Sequence, residues 1–190
     1  MNSKYKVVKF RKNKFENTDD LISIEEPLEI LLKYKDQNKW LTYSLSITMR
    51  TPGHDEDLVR GFLFNEQIIQ NISEIDNIES FGDKVGKYNI QNKILITLNN
   101  SNNINISKIK RDFMSNSSCG VCGKSSLDAL EISKREKTLS SDPKLTKEII
   151  IQSPTILRNN QSEFSKTGGI HASGLFSSDG KLISLREDVG

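Results

Sequence analysis

The segment Trp40-Leu41-Thr42-Tyr43-Ser44-Leu45-Ser46-Ile47-Thr48-Met49 constrains this chain most, because Leu41, Tyr43, Leu45, Ile47 and Met49 recur at period two with Ser and Thr mostly between them. Side chains of a strand alternate between its faces, so this spacing predicts a half-buried β-strand. Pro and Gly stop it at Arg50-Thr51-Pro52-Gly53-His54, and Asp55-Glu56-Asp57 then opens an apolar run with Leu58, Phe62 and Ile69 at helical spacings. Acidic residues in a first turn complement the helix dipole. A strand, a Pro-Gly turn and a helix in succession predict an α+β fold.

Further strands are expected at 5–10, 28–32, 87–91 and 93–98, the last two joined by Gln91-Asn92. The run Asn99-Asn100-Ser101-Asn102-Asn103-Ile104-Asn105 has the composition of an exposed loop. It sets the expected boundary between an N-terminal α+β domain over 1–105 and a second unit over 106–190. In that second unit, residues 125–132 read as a short helix and 145–164 as two helices, with Pro154 opening the second. Gly168-Gly169 is a helix stop, and Ser177-Ser178-Asp179-Gly180 joins residues 170–176 and 181–185 in an expected β-hairpin. Arg186-Glu187-Asp188-Val189-Gly190 leaves a strand in mid-motif, so further residues are expected in the native protein.

Lys and Arg number 27 against 25 Asp and Glu, so the net charge of +2 gives no reason to invoke nucleic acid. No stretch approaches the roughly 18 apolar residues of a membrane span, and no secretory h-region follows Met1. A cytoplasmic protein with neither membrane nor nucleic acid among its partners is expected. The two cysteines fall in Ser117-Ser118-Cys119-Gly120-Val121-Cys122-Gly123-Lys124. A reducing compartment argues against a structural disulfide, which leaves thiol chemistry or metal binding. Small residues keep Cys119 and Cys122 accessible, and the charge of Lys124 favours the nucleophilic thiolate. Zinc is the chief alternative: CxxC is half of a structural site, which His54 and His171 would have to complete in a zinc-binding structural or interaction module. A thioredoxin-like redox pair is a further alternative, although a polar Ser/Asn stretch stands where that fold would place a buried strand.

Several motifs in order resemble the FdhD/NarQ family of formate dehydrogenase accessory sulfurtransferases: Arg50-Thr51-Pro52-Gly53-His54-Asp55-Glu56-Asp57-Leu58 with Gly61-Phe62-Leu63-Phe64-Asn65-Glu66, the Cys119-Gly120-Val121-Cys122-Gly123 loop, Gln161 with Phe164, and Thr167-Gly168-Gly169-Ile170-His171-Ala172 closing on Arg186-Glu187-Asp188-Val189-Gly190. The resemblance implies a sulfur carrier that takes a persulfide onto Cys119 from a cysteine desulfurase, with Cys122 as auxiliary or relay thiol. It implies delivery of that sulfur to the bis-guanine-dinucleotide molybdenum cofactor before the cofactor enters formate dehydrogenase. It also implies a cytidine-deaminase-like α/β second unit without deaminase activity, cut short here at Gly190. A homodimer is expected. Candidate cofactor-binding residues are Arg50, Thr51, Gly53, Thr167, Gly168, Gly169, His171, Arg186 and Asp188. An Arg beside a Gly suits a phosphate, and paired glycines let backbone amides approach an anion. The same segments also read as ordinary turns and a strand end.

Overall fold

The computed structural model describes residues 1–36, 38–99 and 145–189. Cys119, Cys122 and the helix expected at 125–132 lie outside them. Strands and helices are mixed, as the sequence predicts for an α+β chain. The chain forms two compact units, and neither is a continuous stretch of sequence.

One unit takes in residues 26–36, 38–49 and 54–99. Its strands β3 (Glu26–Asp36), β4 (Lys39–Arg50), β5 (Ile75–Val85) and β6 (Ile90–Leu98) form a four-stranded sheet in the order β4-β3-β6-β5. β3 and β6 run parallel, with Ile30 opposite Ile94 and Leu32 opposite Ile96, while β5 pairs antiparallel to β6. Even-numbered residues of both central strands share one face, and Leu28, Ile30, Leu32, Ile94 and Ile96 are fully buried there. Helix α1 (Asp55–Asn65) contributes Val59 and Leu63 to the same core, with Leu58 and Phe62 at its edge. The three acidic residues of its first turn sit where expected, and Arg60 donates to Glu56 one turn back at 2.8 Å.

Two local expectations are corrected in this unit. The turn at Gln91-Asn92 does not form. The chain turns instead at 86–89, where Gly86 and Asn89 adopt positive φ of 72° and 54°, and residues 90–98 form one strand. Glycine and asparagine reach that region most readily, so the turn settles on them. The β4 alternation does produce a strand, but of its odd-numbered residues only Leu45 is fully buried. Ile47 remains 66% exposed, on a strand at one edge of the sheet.

The other unit groups residues 1–25 and 50–53 with 145–189. Strands β1 (Asn2–Arg11) and β2 (Lys14–Ser23) make a hairpin, helices α2 (Lys147–Asn160) and α3 (Ser162–Thr167) follow each other directly, and β7 (His171–Phe176) pairs antiparallel with β8 (Leu182–Asp188). The expected break at Pro154 is absent. α2 is a single helix with Pro154 inside it, capped at its start by Thr146, and Ser153 Oγ donates back to Ile149 O at 2.6 Å. The helix ends instead at Gln161, whose extended ψ of 95° separates it from α3. The β7–β8 turn matches the expectation: Gly180 takes φ 85° and its N–H donates to Ser177 O at 2.9 Å. The Ser177 hydroxyl, first among several hydrogen bonds, holds the Asp179 carboxyl below its ordinary pKa.

Ile96→Ala should destabilise the protein by roughly 2–5 kcal/mol through lost burial and a residual cavity, whereas Ile47→Ser should stay within about 0.5 kcal/mol. Equilibrium denaturant unfolding of both variants measures the difference; similar losses would show that β4 is as buried as its neighbours.

Candidate functional site

The candidate residues of the β7–β8 unit gather around two adjacent carboxylates at the end of β8. Asp188 Oδ1 accepts the Thr51 N–H at 2.5 Å and the Val189 N–H at 2.9 Å. Asp188 also faces His171 across the β7–β8 ladder. One carboxylate therefore brings the Arg50–Gly53 turn to the strand pair that carries His171. Glu187, on the opposite side of the strand, accepts the N–H groups of Glu163 and Phe164 at 2.9 and 2.8 Å. Those are orphan donors of the first turn of α3, which has no side-chain cap from Gln161. A carboxylate there satisfies the donors and complements the helix dipole.

α3 in turn fixes the Thr167–Gly169 segment. The Gly168 N–H donates to Phe164 O at 2.8 Å, and Gly168 takes φ 71°, a left-handed cap that a residue with a Cβ would strain. Thr167 Oγ1 donates to Glu163 O at 3.0 Å and shares a 3.0 Å hydrogen bond with Ser23 Oγ. Gly169 N–H lies 3.5 Å from the same Thr167 oxygen. The loop ahead of His171 is thus held from within, while Gly168, Gly169 and His171 are exposed.

Burial distinguishes the candidates further. Arg50 is fully buried and Thr51 nearly so, yet Thr51 Oγ1 has no hydrogen-bond partner. A buried hydroxyl without a partner costs about 1–3 kcal/mol, which makes this atom the one most in need of a ligand acceptor. Arg186 is exposed, and its Nη1 donates to Leu185 O at 2.7 Å. Gly53 takes φ 136° with open space around it, so its backbone, not crowding, requires glycine. Among the described residues no three His, Cys, Asp or Glu side chains cluster as metal ligands.

Arg50, Thr51 and Gly53 therefore lie in one turn, and Asp188 ties that turn at Thr51 to the β7–β8 pair carrying His171 and Arg186. Thr51 Oγ1 is a buried hydroxyl without a partner and His171 and Arg186 are exposed, whereas the N–H groups of Gly168 and Gly169, like Asp188 and Thr167, are engaged by the protein's own groups. Sequence reasoning did not single out Glu187 or Glu163. Glu163 is buried, with Oε2 accepting from Asn2 Nδ2 at 3.1 Å and Oε1 unpartnered. The sequence places Glu163 near the end of a helix opened by Pro154, whereas it stands in the first turn of α3, so neither its dipole partner nor its burial was legible.

The profile of the FdhD/NarQ family matches residues 24–190. The chain belongs to this family. It is 37% identical to the "Sulfur carrier protein FdhD" of Sulfolobus acidocaldarius over 187 residues, covering 98% of this chain and 64% of that relative. It is likewise 37% identical to the protein of that name from Corynebacterium efficiens over 193 residues, covering 97% of this chain and 65% of the relative. The chain thus spans just under two thirds of the length of the curated relatives it matches. A crystal structure described as a formate dehydrogenase accessory protein from Desulfotalea psychrophila shares the fold, with a TM-score of 0.62 at 21% identity over 100% of this chain and 63% of the other. As an FdhD/NarQ chain it has, among its described residues, no helix long and apolar enough to cross a membrane.

Asp188→Ala should lower stability by about 1–3 kcal/mol by stranding the Thr51 N–H, while Thr51→Val, which removes an unsatisfied hydroxyl, should be neutral or stabilising. Denaturant unfolding separates the two, and a fully stable Asp188→Ala protein would show that the Asp188–Thr51 contact holds nothing.

Proposed function

We propose that this chain carries sulfur as a persulfide on Cys119 and hands it to the molybdenum of a bis-guanine-dinucleotide cofactor destined for formate dehydrogenase. The observation that carries this reading is the Cys119-Gly120-Val121-Cys122-Gly123 loop inside the segment matched by the FdhD/NarQ profile. In the loading step the Cys119 thiolate attacks the outer sulfur of a cysteine desulfurase persulfide; an S–S bond forms on Cys119 as the donor's S–S bond breaks, and the desulfurase thiolate departs. In delivery, the Cys122 thiolate attacks Cys119 sulfur and expels sulfide to the metal. The two cysteines supply both electrons and are left as a disulfide, which a cellular thiol reduces. Gly120 and Gly123 give the loop backbone freedom for both encounters.

The same reading takes the chain as cytoplasmic and homodimeric, with a cytidine-deaminase-like second unit that does not deaminate. The phosphates and guanine ends of the cofactor would meet the unsatisfied Thr51 hydroxyl, the exposed side chains of His171 and Arg186 and the exposed Gly168–Gly169 loop, with Arg50 and Gly53 shaping the turn that presents Thr51.

Intact mass after incubation with a cysteine desulfurase and cysteine should show added sulfur that a thiol reductant removes. Cys119→Ala should abolish the gain and Cys122→Ala only weaken it; equal loading of Cys119→Ala and wild type would sink the assignment, and retained zinc would favour a structural site. For the cofactor surface, Thr51→Val should weaken guanosine diphosphate binding about tenfold in calorimetry, the worth of one good hydrogen bond. Unchanged affinity in that stably folded variant would place the nucleotide elsewhere.

A further inference from the structure

The β1–β2 hairpin lies wholly ahead of residue 24, where the FdhD/NarQ match begins, and the proposed sulfur chemistry uses none of its distal half. Its register places Phe10 opposite Phe15 and Val8 opposite Asn17 on one face, with Lys9 opposite Glu16 and Arg11 opposite Lys14 on the other. The two rings touch at 5.0 Å between centroids, yet Phe10 is 60%, Phe15 78% and Val8 64% exposed. Lys12 and Asn13, with φ of 48° and 60°, form the two-residue turn between them. The tip is therefore a narrow ribbon, apolar on one face and cationic on the other and at its end.

The acidic residues of the hairpin lie mostly farther back. Asp19 is held by Lys4 at 2.8 Å and Asp20 by Lys9 at 2.7 Å. Lys12 and Lys14 form no ion pair among the described residues, and Arg11 adds only a lesser attraction to Asp20. A second copy of the chain is a poor occupant, since two such tips would bring like charges together. Lysine predominates over arginine here, and lysine is depleted at protein–protein interfaces, whereas lysines around inserted aromatic side chains suit anionic headgroups.

We propose that this hairpin tip is a docking surface for an anionic lipid bilayer, with Val8, Phe10 and Phe15 entering the headgroup boundary and Arg11, Lys12 and Lys14 meeting lipid phosphates. The contact is peripheral and reversible. It is a surface contact and not a membrane span, and it does not depend on the sulfur-transfer reading.

The test is co-flotation of the whole chain with vesicles of phosphatidylcholine alone or mixed with phosphatidylglycerol. Wild type should float only with the mixed vesicles and be released by high salt. Phe10→Ser with Phe15→Ser, and separately Lys12→Glu with Lys14→Glu, should each weaken partitioning by at least about tenfold. These side chains are exposed, so unchanged melting curves should confirm intact folds. As a second readout, Phe15→Trp in a Trp40→Phe background, which leaves a single tryptophan at the tip, should shift its emission to the blue on mixed vesicles. Failure of the wild type to float, no loss in either double variant, or a tip that binds a single-stranded oligonucleotide in preference to vesicles would each overturn the proposal.

Discussion

Two neighbouring carboxylates, Glu187 and Asp188, hold together segments that are distant in sequence. Adjacent residues on a strand project to opposite sides, so β8 can reach the start of α3 with one and the Arg50–Gly53 turn with the other. Glu187 takes two backbone N–H groups of α3, and Asp188 takes the Thr51 N–H. The positions of Gly168, Gly169 and His171 follow, since α3 leads into that loop and β7 pairs with β8. Charge-assisted hydrogen bonds to backbone amides are shorter and stronger than neutral ones, which suits a clamp built from few contacts.

The clamp alters how the family motifs are to be understood. Read as sequence, Arg186 and Asp188 are both ligand-binding candidates, but Asp188 Oδ1 and both oxygens of Glu187 already accept backbone N–H groups, and a carboxylate repels a phosphate. Donors such as the Thr51 hydroxyl suit a phosphate better. Thr51 combines both aspects: its amide is clamped, while its buried hydroxyl lacks a partner. An unsatisfied buried group weakens the fold, and such groups are retained where a ligand or catalytic task requires them. Arg50, one residue earlier, is fully buried, so replacing it would disturb packing as well as chemistry.

Much of the fold was legible from periodicity and turn chemistry. The β4 strand, the acidic start of α1, the Gly168 stop and the β7–β8 hairpin form where the sequence places them. The errors have physical causes. Period two reveals which residues share a face but not whether another layer covers it, so Ile47 was expected inside and lies outside. Gln91-Asn92 resembles a turn in isolation, but Gly86 and Asn89 take the left-handed conformations, and β6 runs through Gln91-Asn92 as one strand, with a register shift in its pairing to β5 there. Pro154 removes one helical N–H, yet α2 continues past it to Asn160. The site residues were recognisable as motifs, whereas the hydrogen bonds dividing clamp from open donor depend on tertiary contacts that no local pattern encodes.

The β1–β2 hairpin shows how a ribbon of two strands can remain ordered while presenting apolar side chains to solvent. An isolated two-stranded hairpin is marginal in water, so order must come from its base and its cross-strand pairs. At the base, Ser23 meets Thr167, Asn2 meets Glu163, and the buried Ile24 donates its N–H to Met1 O at 3.0 Å. Along the ribbon, Lys9 is the main cause holding the Asp20 carboxyl below its ordinary pKa. A depressed carboxylate contributes fully above its unfolded pKa and loses that contribution as pH falls through its lowered folded value, so this support persists at neutral pH. With base and stem holding the register, Val8, Phe10 and Phe15 need not be buried for the hairpin to form, and their identity is free to be set by whatever the tip meets.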